Sequence, residues 1–422
     1  MNFIFDDESE KKLLSLMAQH FGVMSATNGA ERFLELKNYL APMLKEASTF
    51  ASKKIIIAGT NGKGETAHCL NYLFESSGKK TALWTSPHIL SLRERFYFQG
   101  ENLSYSELES ALQEEFLEQK KSNIVLGYYE TLFASFLRVA LKKKPEILIL
   151  EVGLGGRFDA VNLLTPDLSL ITSIARDHEE ILGRGHRRIL LEKLGITRKN
   201  GPLLSCLELA YQREICREYC DNNDVPWEDF FGLGLLLKKD HYSLRNRFLA
   251  LKAFEKLEGH SFNGTWPSDL SFKGRGERLD WEQGQFYFIG AHNHDGVRKM
   301  LEGLKTGHLL NDFSFPFDTI VVSFSKRSFE EIEACLRLIK AESYLLARRV
   351  VLTTYEHPKA MDAETLSKFK GLVEFAHDWK KIIPSLKGPT LVTGSYYFIG
   401  EIQRHFCLSS SSSSSSSPYP HS

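Results

Sequence analysis

Residues 55–66, Ile-Ile-Ile-Ala-Gly-Thr-Asn-Gly-Lys-Gly-Glu-Thr, constrain the fold of this chain more than any other stretch. Ile55, Ile56 and Ile57 read as a buried strand, and Gly59, Gly62 and Gly64 let the next backbone turn with its amides inward. A helix is expected directly afterwards, so amides and helix N-terminus together attract an anion. Lys63 adds a mobile positive charge that reaches the β/γ phosphates of a nucleotide. The segment Gly59, Thr60, Asn61, Gly62, Lys63 and Gly64 is therefore read as a phosphate cradle. The strict pattern G-x-x-x-x-G-K-[ST] fails twice, because Ile57 stands at its first glycine and Gly64 follows the lysine. A glycine-rich turn that binds nothing is the alternative at this point.

A chain of 422 residues should form two or three domains. Lys plus Arg equals Asp plus Glu at 53 each, so bulk charge argues for neither nucleic acid nor an anionic membrane as partner. Six cysteines in this length make no disulfide scaffold, and their spacings match no zinc site; Cys216 and Cys220 should share one helix face. The start lacks a basic, apolar leader and no later apolar run has membrane-spanning length, which leads to the expectation of a cytoplasmic protein. The Ser run from Ser409 to Ser417 and the residues after it are expected to be disordered, since they have little apolar surface to bury.

Helical spacing over Thr66 to Ser77, a strand at Thr81 to Thr85, a helix over Thr131 to Leu141, and strands at Ile147 to Leu150 and Leu168 to Thr172 alternate along the first part. Such alternation predicts an α/β fold: a parallel sheet carrying the phosphate loop, flanked by helices, with ligands at the carboxyl ends of the strands. Composition shifts near Ser268 to Gly276, and a second, smaller α/β series follows with strands at 285–289, 319–324, 350–354 and 390–393. The expected domains are 1–270, 271–408 and a tail, 409–422.

Four short segments end strands or open loops in the first domain: Thr85-Ser-Pro-His88, Glu151-Val-Gly-Leu-Gly-Gly-Arg-Phe-Asp159, Ile174-Ala-Arg-Asp-His178 and Glu192-Lys-Leu-Gly-Ile196. Glu151 follows an apolar strand, so its carboxylate should stand at the sheet edge where a hard oxygen donor holds Mg²⁺; a strand-end carboxylate capping the Gly153 turn is the other reading. Taken alone, His178 reads as structural and Lys193 as a solvated helical lysine.

Together these segments resemble the ordered motifs of the folylpolyglutamate synthase and dihydrofolate synthase family, within the Mur ligase superfamily. The resemblance continues with Glu94-Arg95, Gly274-Arg-Gly-Glu-Arg278, Gly290-Ala-His-Asn293 and Gly394-Ser-Tyr-Tyr-Phe-Ile-Gly400. It implies an ATP-dependent ligase that joins L-glutamate to dihydropteroate or a folate through an acyl phosphate, acting as a monomer with ATP and Mg²⁺. By the same resemblance, Ser86, Glu151 and His178 match magnesium-binding positions, and Lys193 matches a lysine carried as a carbamate. Arg275 matches a nucleotide-contacting arginine, and His292 and Asn293 match a loop facing phosphates and the incoming amino acid. Lys63, Lys193 and His292 would be catalytic. Tyr128-Tyr129-Glu130 resembles a helix start near the pterin.

The chain departs from the family pattern at Glu65, where Ser or Thr is usual, and at Ile289, where Asp is usual. A carboxylate about 4 Å from a phosphate oxygen costs on the order of 4 kcal/mol at an effective dielectric of 20, so Glu65 must bind metal or turn away. Loss of the Asp at 289 removes one nucleotide contact. These departures open a second reading, a nucleotide- or folate-binding paralogue that does not ligate and serves regulation or interaction.

Overall fold

The computed structural model describes residues 5–21, 29–50, 53–236, 240–266, 272–307 and 316–412. The chain divides into two compact units, one ending at Thr265 and the other beginning at Trp266. Leu270, where the sequence reading sets its boundary, lies outside the described residues.

In chain order the first unit contains α1 (Asp7–Phe21), α2 (Gly29–Phe50), β1 (Lys53–Ala58), α3 (Lys63–Ser76), β2 (Thr81–Trp84), β3 (Tyr97–Phe98), β4 (Glu101–Asn102) and α4 (Tyr105–Lys121). It continues through α5 (Tyr128–Lys143), β5 (Ile147–Glu151), β6 (Leu168–Ile171), α6 (Glu179–Leu182), α7 (His186–Leu194), β7 (Leu203–Ser205), α8 (Ala210–Asn222), β8 (Trp227–Asp229) and α9 (Tyr242–Glu258). The strands form one sheet in the order β4-β3-β2-β5-β1-β6-β7-β8. From β2 to β8 the ladders are parallel, while β3 and β4 add an antiparallel edge. Helices cover both faces, which is why β1, β5 and β6 are buried along nearly their whole length rather than at alternate residues.

Sheet order positions the site. The chain leaves β1 through α3 toward β2 on one side, and leaves β5 toward β6 on the other, so the crevice of such a sheet opens at the carboxyl ends of β1, β5 and β6. Ile57 is registered with Glu151, and Ala58 with Ile171, which brings the loop after β1 between the ends of its two neighbours. Trp84, Phe96, Phe133 and Phe136 pack behind this edge as an aromatic cluster with ring centroids 5.3–6.4 Å apart. Cys216 and Cys220 share the inner face of α8, with their sulfurs 3.9 Å apart.

The second unit contains β9 (Arg275–Trp281), β10 (Gly284–Gly290), α10 (His294–Lys305), β11 (Phe317–Ser323), α11 (Phe329–Leu346), β12 (Ala347–Thr353), α12 (Ala363–Ser367), β13 (Glu374–Ala376), α13 (Trp379–Ile382), β14 (Pro389–Gly394) and α14 (Tyr396–Ser412). Its sheet runs β13-β12-β11-β14-β10-β9, parallel except where β9 meets β10. The helix α14 extends to Ser412, so it includes the first residues of the Ser run; residues 413–422 of the expected tail lie outside the described residues.

Candidate functional site

The glycine loop follows β1 and is fastened by the segment after β6. Thr60 N donates to Ser173 O at 2.7 Å, Thr60 Oγ1 accepts from Ala175 N at 3.1 Å, and Ser173 Oγ donates to Asn61 O at 2.9 Å. Thr172 Oγ1 also donates to Asn61 O, at 2.7 Å. Gly62 has φ 92 and caps α3; a Cβ there would sit 2.4 Å from Asn246 Oδ1. Only glycine satisfies both demands. Lys63 opens α3 and folds its ammonium back onto the loop, donating to Gly59 O at 3.1 Å and Thr60 O at 3.2 Å.

Glu65 turns away from the loop. It is 6% exposed and faces α9, where its carboxylate accepts hydrogen bonds from Ser243 Oγ and, at 2.6 Å, from Asn246 Nδ2. The departure at this position thus supplies a tie between two helices.

Glu151 ends β5, 2% exposed, and its Oε2 accepts from Ser86 N at 2.9 Å. The glycines after it serve close packing. A Cβ on Gly153 would sit 2.8 Å from the Tyr129 ring, and one on Gly156 would sit 3.0 Å from Glu192 O and from Lys193 Cα. Asp159 closes the turn by accepting from Gly153 N at 2.9 Å, Leu154 N at 3.1 Å and Tyr129 OH at 3.2 Å. Burial pushes its carboxyl up to about 6 despite these donors. Tyr129 OH in turn accepts from Trp84 Nε1 at 3.0 Å, joining α5, β2 and the β5 turn.

Lys193, 4% exposed on α7, is lowered from the usual lysine range to about 7. Burial is the main cause and the nearby positive charge of Lys63 adds to it, while Asp177, Glu192 and Asp159 oppose it. The two lysines therefore stand in one electrostatic neighbourhood with Asp177. His178 follows, capping α6 with φ 53; its Nε2 lies 4.0 Å from Asp177 Oδ1 and its Nδ1 3.4 Å from Glu180 Oε1.

The remaining candidates belong to the second unit, gathered about Tyr396. Arg275 Cζ lies 5.3 Å from the centre of its ring and the His292 ring 5.6 Å away. Gly290 is where a Cβ would meet Tyr396 Cε1 at 2.1 Å. Asn293 caps α10, its Oδ1 accepting from Gly296 N at 2.7 Å. Ile289 is buried in this unit's apolar core, so no carboxylate stands at that position.

No family model matches the chain. The dihydrofolate synthase/folylpolyglutamate synthase of Bacillus subtilis is 26% identical over 401 residues, covering 82% of this chain and 89% of that protein. The Escherichia coli relative of the same description is 38% identical over 148 residues, 35% of either chain. Escherichia coli FolC in complex with DHPP and ADP shares the fold, with TM-score 0.74 and 21% identity over 95% of this chain and 98% of that one. The chain is similar to dihydrofolate synthase/folylpolyglutamate synthases along most of its length.

The sequence reading offers a divalent ion a hydroxyl, a carboxylate and an imidazole, from Ser86, Glu151 and His178. Among the described residues no three His, Cys, Asp or Glu side chains form a ready-made metal cage. An ion here would take its other ligands from phosphate and water, which is the habit of Mg²⁺, and the two hard oxygens fit it. What the sequence reading missed are the supports. Thr172 and Ser173 were findable, since pairing β1 with β6 sets Gly59 beside Thr172; Asn246 and Ser243 carried no local signal.

Proposed function

We propose that this chain is an ATP-dependent amide ligase that adds L-glutamate to dihydropteroate, to (poly)glutamylated tetrahydrofolate, or to both, through an acyl phosphate. One observation carries the reading: Lys63 of the glycine loop and the buried Lys193 of α7 share one field at the sheet edge that also presents Glu151. The Lys63 ammonium is the cation there for a triphosphate, and the Glu151 carboxylate the donor for its metal ion. The bound ADP and DHPP of the Escherichia coli protein support nucleotide and pterin ligands for this chain.

In this reading the amides from Gly59 to Gly64 cradle the phosphates, and Lys63 exchanges the carbonyls of Gly59 and Thr60 for phosphoryl oxygens. Ser86, Glu151 and His178 hold Mg²⁺, which when bound neutralises charge on the transferred phosphoryl. A carboxylate oxygen of the acid substrate takes the γ-phosphoryl and ADP leaves. The glutamate amine then attacks the acyl carbon, loses a proton and displaces phosphate. Lys193, held near neutrality, has the free amine needed to take up CO₂ as a carbamate with release of a proton. Arg275 is assigned to the nucleotide, and His292 with Asn293 to phosphate and amino acid. We assign the protein to the cytoplasm as a monomer.

The test is ADP release by purified protein with dihydropteroate or tetrahydrofolate, scored by product mass. Release that requires glutamate, with a product heavier by one glutamyl residue, is expected. AMPPNP binding without any glutamate-dependent ADP overturns ligation in favour of the non-ligating paralogue.

A further inference from the structure

The segment Thr85 to Arg95 contains a cation that the roles above leave unused. Arg95 closes the 3-10 turn Leu92–Arg95. Antiparallel pairing of β2 with β3 ends at Leu83 and Tyr97, and just beyond it Thr85 Oγ1 donates to Glu94 O at 3.3 Å, which sets the end of the 3-10 turn beside Thr85. Parallel pairing of Trp84 with Leu150 makes Thr85 the neighbour of Glu151. Arg95, Thr85 and Glu151 therefore stand in a row across adjacent strand ends, on the edge that carries the glycine loop.

Arg95 is 5% exposed. Its Nε donates to His88 Nδ1 at 3.0 Å, its Cζ lies 6.0 Å from the centre of the Trp84 ring, and its Nη1 has no hydrogen-bond partner among the described residues. The same Tyr129 phenol feels both the positive charge of Arg95 and the negative charge of Glu151. A buried guanidinium with an unanswered N–H is costly, and the His88 imidazole brings no negative charge, so the charge too lacks an answer there. A carboxylate supplies both missing terms, since its two oxygens match the planar fork of arginine.

We infer that Arg95 receives the reacting carboxylate of the acid substrate and holds it beside Glu151 for phosphorylation, an inference that rests on the ligase reading above. Through the later steps the same N–H faces the acyl oxygen, where negative charge develops as the amine attacks.

The test is calorimetric binding of pteroate and of its carboxamide, each in the presence of ADP and Mg²⁺, to wild type, Arg95→Met and Arg95→Lys. Wild type is expected to prefer acid over amide by about tenfold or more. Arg95→Met should bind the two alike while binding AMPPNP within about twofold of wild type, and Arg95→Lys should keep part of the preference. An undiminished preference in Arg95→Met overturns the inference, as does loss of AMPPNP binding in step with loss of the acid, which marks a structural role. Should Arg95→Met not fold, Arg95→Gln carries the same comparison. A wild-type chain that binds AMPPNP but neither pteroyl compound fails the ligase reading itself, and this inference with it.

Discussion

Asn246 Nδ2 donates to Glu65 Oε2 at 2.6 Å, and the same amide occupies the space into which a side chain at Gly62 would project. One residue of α9 thus sets the direction of the carboxylate and the residue type at the loop. Asn246→Ala leaves a buried carboxylate short of a donor and is expected to destabilise the first unit by about 1–3 kcal/mol, seen as a lower urea midpoint at unchanged m. Glu65→Ser should change AMPPNP affinity less than about tenfold, because the carboxylate does not face the phosphates. A gain near a thousandfold would show that it does.

Gly62→Ala meets two obstacles, φ 92 and a Cβ 2.4 Å from Asn246 Oδ1. Loss of about 1–3 kcal/mol is expected, together with weakened nucleotide binding. Adding Asn246→Ala relieves the clash but not the backbone, so a double-mutant cycle should show partial recovery on the Gly62→Ala background. Strict additivity would remove Asn246 as the obstacle.

Glu151→Gln keeps an acceptor for Ser86 N while removing the charge. Turnover should fall about 100-fold or more with AMPPNP affinity within about tenfold, since neutralising charge matters most as the phosphoryl transfers. Near-normal turnover takes Glu151 out of the metal role.

Lys193 titrates near 7 folded against 10.5 for the ordinary side chain, so between these values the unfolded chain binds more protons and stability rises with pH. The gain is complete above 10.5, is lost as pH falls toward 7, and changes no further below that. Lys193→Met should flatten this slope in urea midpoints measured in bicarbonate-free buffer. A slope of wild-type steepness in the variant assigns the effect to another group.

The strand, loop and helix around Lys63 were legible because the signal is local: a β-branched run, glycines at the turn and helical spacing afterwards. Glu151 was legible as a strand end for the same reason. The orientation of Glu65 was not, because the group that decides it lies 181 residues further on. Short strands such as Tyr97–Phe98 and Leu203–Ser205 have too few residues to show a period, and neighbouring strands define them. Lys193 looked like a solvated helical lysine because burial of α7 is set by Gly156, which lets the helix backbone come close. The start of β9 at Arg275 falls in a stretch whose Gly, Ser and Lys content reads as a boundary.

Because the Lys63 ammonium already rests on the carbonyls of Gly59 and Thr60, nucleotide arrival is a swap of partners rather than the recruitment of an idle charge. The net attraction is the difference between phosphoryl and carbonyl acceptors. Residence time on the enzyme can therefore be tuned by how firmly Ser173 and Thr172 hold the loop through Thr60 N and Asn61 O, with the lysine itself left untouched.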